Sequence, residues 1–600
     1  MASLGTLGSM AHLVGASGSS LTRSVSTSEA SQHERKLLGM QRITCSSRNY
    51  GREREQRQSG NSSERPQGNA RDVRRIKQAP GATKWTRIED RELGEGGAGR
   101  RGNGGDERRD ARRAFIPRTA TNISSHRAVA VVRLMRIEEG GAFVDVLSGE
   151  GDSSWADEMA YVGRTLGFRV PELDLRGRRL VTDVVAGVVR WKRYLDFLIF
   201  SFFKLDVRDY DRMEPLLRQI LRVGLYELIK LEMPPHAVLN ETVQLAKVAL
   251  RAGAGNLVNG LLRAVVSHQD AGTLPVPVLE GDQRSRARAL ATIHSHPVWM
   301  VRMWLTQFGE EETVRLMECN NQRPTFSLRA NSARGVSRQD LIAELDKLEV
   351  SHMESPYLPD FVRLSIGMQD VLRSGLLQNG SIAVQDESAG LVVSVVDAQP
   401  GDTIIDCCAA PGGKALNLAS RLNGQGKIVA VDVNEGRLRI LTEAAEQQGV
   451  GDVVSSCHYD LRDYAAKAAG TADRVLLDAP CSGLGVLSKR ADLRWRRSPE
   501  EMTQLAELQD SLLDAAALLV KPGGVLVYST CSIEANENSE RVAAFLSRNR
   551  EFTAENVEGF VPPSMVSAEG FFVSFPHRHG IDGAFAARMR RSCEDAVQIQ

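Results

Sequence analysis

Apolar positions along this chain follow two different rhythms. From about 126 to 268 they recur every three or four residues, the repeat of a helix face, with hardly any strand-like alternation. In Glu214-Pro-Leu-Leu-Arg-Gln-Ile-Leu-Arg-Val-Gly-Leu-Tyr-Glu-Leu-Ile229 the residues Leu217, Leu221, Leu225 and Leu228 mark one such face. Pro234-Pro235 interrupts it, Asn240 stands where an N-cap would open the next helix, and Asn256-Leu-Val-Asn-Gly-Leu-Leu-Arg263 predicts a further short one. These features predict an all-α bundle. From about 381 onward, short apolar runs alternate with helical stretches: Thr403-Ile-Ile-Asp406, Lys427-Ile-Val-Ala-Val431, Arg474-Val-Leu-Leu477 and Gly524-Val-Leu-Val-Tyr528. Short buried strands separated by helices predict a doubly wound α/β sheet of the Rossmann kind, for which roughly 220 residues are ample. Between the two, from about 290 to 380, an amphipathic helix after Ser295-His-Pro-Val-Trp299, a strand entered from Asn320-Asn-Gln-Arg-Pro-Thr-Phe-Ser-Leu-Arg-Ala-Asn331 and a helix from Arg338 predict a small α+β connecting subdomain.

The first 120 residues keep neither rhythm, and charge is what separates them. The chain as a whole carries a net charge of +1, yet this segment holds 23 Lys and Arg against 13 Asp and Glu. Overall charge therefore predicts no partner, and any nucleic-acid surface must be a local patch. Residues 1–50, rich in Ser, Ala, Gly and Thr with no acid before Glu29, read as an organellar transit peptide, for the plastid (chloroplast) stroma in preference to the mitochondrial matrix. Residues 51–125 mix charge and glycine and read as a disordered basic linker. Eight cysteines in 600 residues make no disulfide framework and show no zinc spacing, so reduced thiols and no metal are expected. No apolar run approaches the ~20 residues that span a bilayer, so the expectation is a soluble monomer with no membrane partner.

Candidate chemistry gathers at the strand ends. Asp406-Cys-Cys-Ala-Ala-Pro-Gly-Gly-Lys414 is a glycine turn between a strand and a helix. It is not a Walker loop, because Ala415 follows Lys414 and the preceding spacing is wrong, so a triphosphate ligand is not predicted. About twenty residues after the turn, the next strand ends in Asp432, a carboxylate suited to ribose hydroxyls. Turn and acid together predict an adenosine cofactor without separating NAD from S-adenosylmethionine. Two cysteines break that tie: Cys481 in Asp478-Ala-Pro-Cys-Ser-Gly483 and Cys531 in Tyr528-Ser-Thr-Cys-Ser532 each follow a predicted strand. Hydride transfer has no use for two thiols there. Cytosine C5, by contrast, becomes nucleophilic only after a thiolate adds at C6, and a second thiol can assist release of the product.

The strings Val384-Gln-Asp-Glu-Ser-Ala389, Asp406–Lys414, Asp478–Gly483, Tyr528–Ser532, Glu537-Asn538 and Asp582-Gly-Ala-Phe-Ala-Ala-Arg588 resemble the RsmB/Nop/Sun family of RNA cytosine-C5 methyltransferases. The bundle, with His236-Ala237, Asn240-Glu241 and Val258-Asn-Gly-Leu-Leu-Arg263, is similar to the NusB-type RNA-binding domain, which points to the bacterial RsmB subgroup acting on small-subunit ribosomal RNA. The resemblance spans about 126 to 591. It implies a Rossmann-like S-adenosylmethionine-dependent methyltransferase domain over 381–595, behind a NusB-like domain over 126–268 and the connecting subdomain over 290–380. It further implies that Cys531 attacks, that Cys481 assists product release, and that Asp478 orients the base or handles a proton. Cys408, Ala409, Ala410, Pro411, Gly412, Gly413 and Lys414 would line the methionine and ribose end of the cofactor, with Asp432 on the ribose, Asp460 near the adenine and Asp478 between cofactor and base. Asp463 reads instead as a helix cap. Ala584 departs from the family by standing where a second aromatic is common.

RNA contacts are expected from Lys489, Arg494, Arg496 and Arg497, cations grouped around Trp495 after the Cys481 strand. A target base must leave its stack to reach a thiol, so loops or single strands are the expected substrates. Two alternatives keep the same motifs: a transfer RNA cytosine-C5 methyltransferase, and a ribosome-assembly factor that binds RNA without needing catalysis.

Overall fold

The computed structural model describes residues 123–142, 152–204 and 207–593, all within one compact unit. The transit-peptide expectation, and that of a linker as far as residue 122, lie outside the described residues.

The N-terminal region is helical throughout, with Ser125–Glu138, Asp152–Leu166, Leu175–Phe203, Pro215–Ile229, Pro235–Ala249 and Ala252–Asp270 as its main helices. Leu217, Leu221, Leu225 and Leu228 are buried as their spacing predicts, against Val184, Val188 and Val258 among others. Two local expectations fail. Asn240 caps nothing: the helix opens at Pro235, and Asn240 lies exposed inside it. Proline at the first helical position lacks only an N–H that has no intrahelical partner anyway, so it can start the helix more than a turn earlier. The short helix from Asn256 is the middle of the 19-residue helix Ala252–Asp270. Helices Leu175–Phe203 and Pro215–Ile229 meet at Gly187, where a Cβ would lie 2.0 Å from the Tyr226 ring, so only glycine permits that approach.

Helices Gln283–Ile293 and Val298–Asn321 lead out of the bundle, the second kinked at Gly309 (φ 75°, ψ 177°). A four-stranded antiparallel sheet follows, from β1 (Phe326–Ala330), β2 (His352–Glu354), β3 (Phe361–Leu364) and β4 (Ile382–Val384), in the order β2-β3-β1-β4. Helix Arg338–Lys347 packs on it behind a capping box of Ser337 and Asp340.

The second sheet contains β5 (Thr403–Cys407), β6 (Lys427–Asp432), β7 (Val454–His458), β8 (Ala472–Asp478), β9 (Val520–Thr530), β10 (Phe552–Glu555), β11 (Phe572–Ser574) and β12 (Ala584–Arg591). Its order is β10-β12-β9-β8-β5-β6-β7, with β11 also paired to β12. Strands β9, β8, β5, β6 and β7 run parallel, while β12 is antiparallel to β9, β10 and β11. This is a Rossmann-like sheet with helices on both faces. From β5 the chain moves outward through β6 and β7, then returns to the other side of β5 with β8. That reversal opens a crevice at the carboxyl ends of β5 and β8, where such sheets bind ligands.

Candidate active site

Both cysteine loops and the glycine turn leave the sheet at that crevice. Strand β5 ends at Cys407, and Cys408 takes a left-handed conformation (φ 62°), uncommon for a residue with a Cβ. Gly412 (φ 109°) then turns the chain into helix Gly413–Arg421, where a Cβ would meet Leu441 at 2.8 Å. Asp432, ending β6, folds back onto the turn: one carboxylate oxygen accepts from the Ala410 amide at 3.1 Å and the other from Asn434 at 2.8 Å. Lys414 reaches across to Asp478 at the end of β8, 2.7 Å away, and Ser529 Oγ holds the other Asp478 oxygen at 2.9 Å. Burial opposes the Lys414 charge, but Asp478 and then Cys531 raise the ammonium above its ordinary value.

The two predicted cysteines meet. Cys481 Sγ and Cys531 Sγ are 3.3 Å apart, both half-buried, with neither in a disulfide. The adjacency follows from the sheet: β8 and β9 are parallel neighbours with Asp478 opposite Ser529, so loops leaving their carboxyl ends emerge side by side. The thiols are not equivalent. The hydrogen bond to Cys531 and then burial hold the Cys481 thiol well above its ordinary value. Cys531 is lowered by the hydrogen bond from Cys481 and by the Lys414 ammonium, against the opposing effects of burial and Asp478. The two directions share one hydrogen bond, in which either sulfur could be the donor.

Residues 393–590 match the family described as 16S rRNA methyltransferase RsmB/F. Residues 127–267 match the NusB family, and residues 296–369 match the ferredoxin-like domain of RsmF/B-like methyltransferases. The chain is 32% identical over 429 residues to the "Probable ribosomal RNA small subunit methyltransferase B" of Bacillus subtilis (strain 168), spanning 70% of this chain and 92% of that protein. It is 33% identical over 430 residues to the ribosomal RNA small subunit methyltransferase B of Escherichia fergusonii, spanning 69% of this chain and 95% of the relative. The crystal structure of PH0851 superposes with a TM-score of 0.62 at 25% identity, covering 78% of this chain and 99% of the other. The chain belongs to the RsmB/F methyltransferase family.

The cofactor of an RsmB/F methyltransferase is S-adenosylmethionine, and the turn fits it. Burial and then Asp432, Asp478, Asp406 and Asp460 push the Cys408 thiol up to about 12, so four carboxylates face this turn. Asp406 is buried with neither carboxylate oxygen hydrogen-bonded, and burial, then Asp478, holds it well above the usual carboxylate range. Even without Asp406, the carboxylates of Asp432, Asp460 and Asp478 outnumber the cations Lys414 and Arg462 about the turn, which suits a ligand bearing an ammonium and a sulfonium and disfavours the anionic pyrophosphate of a dinucleotide. Asp432 retains acceptor capacity on both oxygens for ribose hydroxyls. Asp460 caps helix Leu461–Lys467 and pairs with Arg462; the cap expected of Asp463 is therefore made three residues earlier.

The four cations expected to bind RNA all make contacts within the protein, Arg494 fully buried and Lys489, Arg496 and Arg497 half-buried. Arg494 is fully buried, donating to the carbonyls of Ser295, Asn320 and Leu487 and to Asn321 Oδ1. Arg496 donates to the carbonyls of Gly141 and Ala142, and Arg497 to those of Ser482 (2.9 Å) and Cys481 (3.3 Å). Lys489 bridges Asp386 and Asp582. Together with Trp495, whose indole donates to Val189 O at 2.7 Å, this segment ties the Cys481 loop to the bundle and the connecting helices. A run of charged residues in sequence does not show whether their heads point to solvent or to carbonyls.

Sequence reasoning also left Glu537 and Asn538 without roles. Glu537 accepts from Ser482 N (2.7 Å), Ser482 Oγ, Ser532 Oγ (2.6 Å) and Gln509 Nε2 (3.1 Å). Asn538 accepts from Thr530 Oγ1 (2.6 Å) and donates to Ser532 O (3.0 Å). Their signal was a buried-looking acid and amide close behind the Thr-Cys cysteine. No group of three or more metal-ligating side chains occurs among the described residues, and no described helix is long and apolar enough to cross a membrane.

Proposed function

We propose that this protein methylates C5 of a cytosine in small-subunit ribosomal RNA through a covalent adduct to Cys531. The observation that carries the reading is the thiol pair, 3.3 Å apart beside the cofactor turn, with Lys414 and Asp478 between turn and thiols. Bound S-adenosylmethionine supplies an electrophilic methyl group. The Cys531 thiolate adds to cytosine C6 and makes C5 nucleophilic. Asp478, fixed by Lys414 and Ser529, presents a carboxylate to orient the base or to handle a proton at the ring. C5 takes the methyl group as the methyl–sulfur bond breaks, its proton passes to a base such as the Asp478 carboxylate, the bond from Cys531 to C6 breaks, and the Cys481 thiol, already a hydrogen-bond partner, stabilises the departing thiolate. Ribosomal RNA as substrate is supported by the names of the relatives and by the NusB match.

Bisulfite sequencing of total and organellar RNA, with and without the protein, tests this. Loss of protection at one cytosine of small-subunit ribosomal RNA is the expected result. A lost transfer RNA site with unchanged ribosomal RNA would move the substrate, and no change anywhere would leave an assembly role. Action in the plastid is part of the proposal, supported by the composition of residues 1–50, and a fluorescent fusion of residues 1–120 tests it.

A further inference from the structure

The thiol pair poses a problem that its own geometry does not solve. Two sulfurs 3.3 Å apart share one hydrogen bond, and nothing within the pair decides which keeps the proton. We infer that Glu537, which touches neither sulfur, is the positioning residue that fixes both cysteine loops and makes Cys531 rather than Cys481 the attacking thiol. The proposal rests on the covalent reading above only in naming the attacking residue.

Glu537 is fully buried in the turn Ala535–Glu537, behind the Cys531 loop. Three of its four donors come from the two loops and the fourth from helix Pro499–Leu519. Ser482, directly after Cys481, gives its amide and hydroxyl; Ser532, directly after Cys531, gives its hydroxyl; and Gln509, which also donates to Pro480 O at 2.9 Å, gives the fourth. The two serine hydroxyls are themselves 3.2 Å apart. A carboxylate is acceptor-only with about four lone-pair sites, so four converging donors suit a charged Glu537, and a neutral amide there would set an N–H against one of them. One side chain thus sets the residue that follows each sulfur, and with it the gap between them.

Its charge is also placed asymmetrically. Glu537 acts on Cys481 and raises that thiol, whereas at Cys531 the lowering by the Lys414 ammonium is offset by Asp478, which raises it. The other ionisable groups facing Cys531 are Asp478, paired to Lys414, and Asp582, paired to Lys489; Tyr528 lies near Cys481 and gives its hydroxyl to Glu537 O at 2.6 Å. The Glu537 anion behind Cys481 disfavours a thiolate there, and the proton left on Cys481 is donated to the Cys531 thiolate.

Alkylation by iodoacetamide, followed site by site by mass spectrometry on the full-length protein without RNA, tests this. In the wild type, Cys531 should react faster than Cys481 at neutral pH. In Glu537→Gln, shown to be folded by circular dichroism and by binding S-adenosylmethionine, the Cys531-to-Cys481 rate ratio should fall by about tenfold, the equivalent of one unit of relative pKa. Glu537→Asp should recover part of it. A folded Glu537→Gln protein with the wild-type ratio would overturn the inference. Should that variant not fold, Ser532→Ala keeps the charge and cuts one tether: slower alkylation of Cys531 with Cys481 still slow is expected, and unchanged rates at both would overturn the inference. Because alkylation needs neither RNA nor methyl transfer, it reads Glu537 whether or not cytosine C5 proves to be the target.

Discussion

Buried charge is handled in opposite ways in the bundle and at the catalytic crevice. In the bundle each buried arginine of the network meets a carboxylate: Arg222 is shared by the half-buried Glu138 and Asp196, Arg133 donates to the half-buried Glu158 at 2.8 and 2.9 Å, and Arg127 pairs with the buried Glu227 at 2.7 Å. At the crevice Asp406 is buried with no hydrogen-bond partner, two thiols contend for one proton, and four acids face a single turn. Satisfied networks rigidify a scaffold, whereas unsatisfied groups await a ligand or a reaction. Among the described residues Asp406 is the one carboxylate with both oxygens buried and neither hydrogen-bonded, which sets the crevice apart from the bundle.

The largest expected effects are at the thiols. Cys531→Ala should abolish methyl transfer from labelled S-adenosylmethionine, and Cys481→Ala should accumulate a protein–RNA adduct on denaturing gels. Full activity in the first, or no adduct in the second, would reverse the assigned roles. Next comes the bundle: Arg222→Met strands Glu138 and Asp196 and should cost about 3–5 kcal/mol in denaturant unfolding, as breaking a buried pair does. A cost below about 1 kcal/mol would show the network to be solvated and remove the contrast. Arg494→Lys should lose about 1.5–3 kcal/mol of stability, the worth of hydrogen bonds from a charged group, and leave the salt dependence of RNA binding unchanged. A shallower salt slope would return Arg494 to the RNA surface. Asp406→Asn should change stability by less than about 1 kcal/mol, because the acid it replaces has no partner to lose, while weakening S-adenosylmethionine binding by calorimetry.

The smallest effect is in pH, where the two regions should respond with opposite sign. Despite burial, Arg222 and Lys192 hold Glu138 at about 2, below its ordinary 4.5. A lowered carboxylate contributes stability above its unfolded value and loses it as pH falls through the folded one, so the bundle should weaken between about pH 4.5 and 2. Near the cysteine loops, burial raises Glu534 to about 7, and burial with Asp386 raises Asp582 to about 7. Raised carboxylates are most favourable below their unfolded values, so this region should weaken as pH rises from about 4 through 7. Hydrogen exchange followed separately in the two regions checks the signs.

Much of the fold was readable because it rests on local rules. The four apolar runs became β5, β6, β8 and β9, and the three-and-four spacing became bundle helices, since burying one face requires that period. Both cysteines, Asp432, Lys414 and the glycine turn were visible as residue types at strand ends. Readings that depended on where a polar head points did not transfer: Arg494, Arg496, Arg497 and Lys489 turned inward to carbonyls and carboxylates, and Asn240 yielded its cap to Pro235. Glu537 could be seen only as part of a string. The sequence determined which elements form and which reactive groups stand at their ends, because period and turn chemistry are properties of neighbouring residues. Only the tertiary structure decided that the sulfurs lie 3.3 Å apart, that one carboxylate joins both loops and that the surface-looking arginines are internal braces. Those facts depend on β8 and β9 being parallel neighbours and on hydrogen bonds between groups up to hundreds of residues apart, which no local pattern encodes.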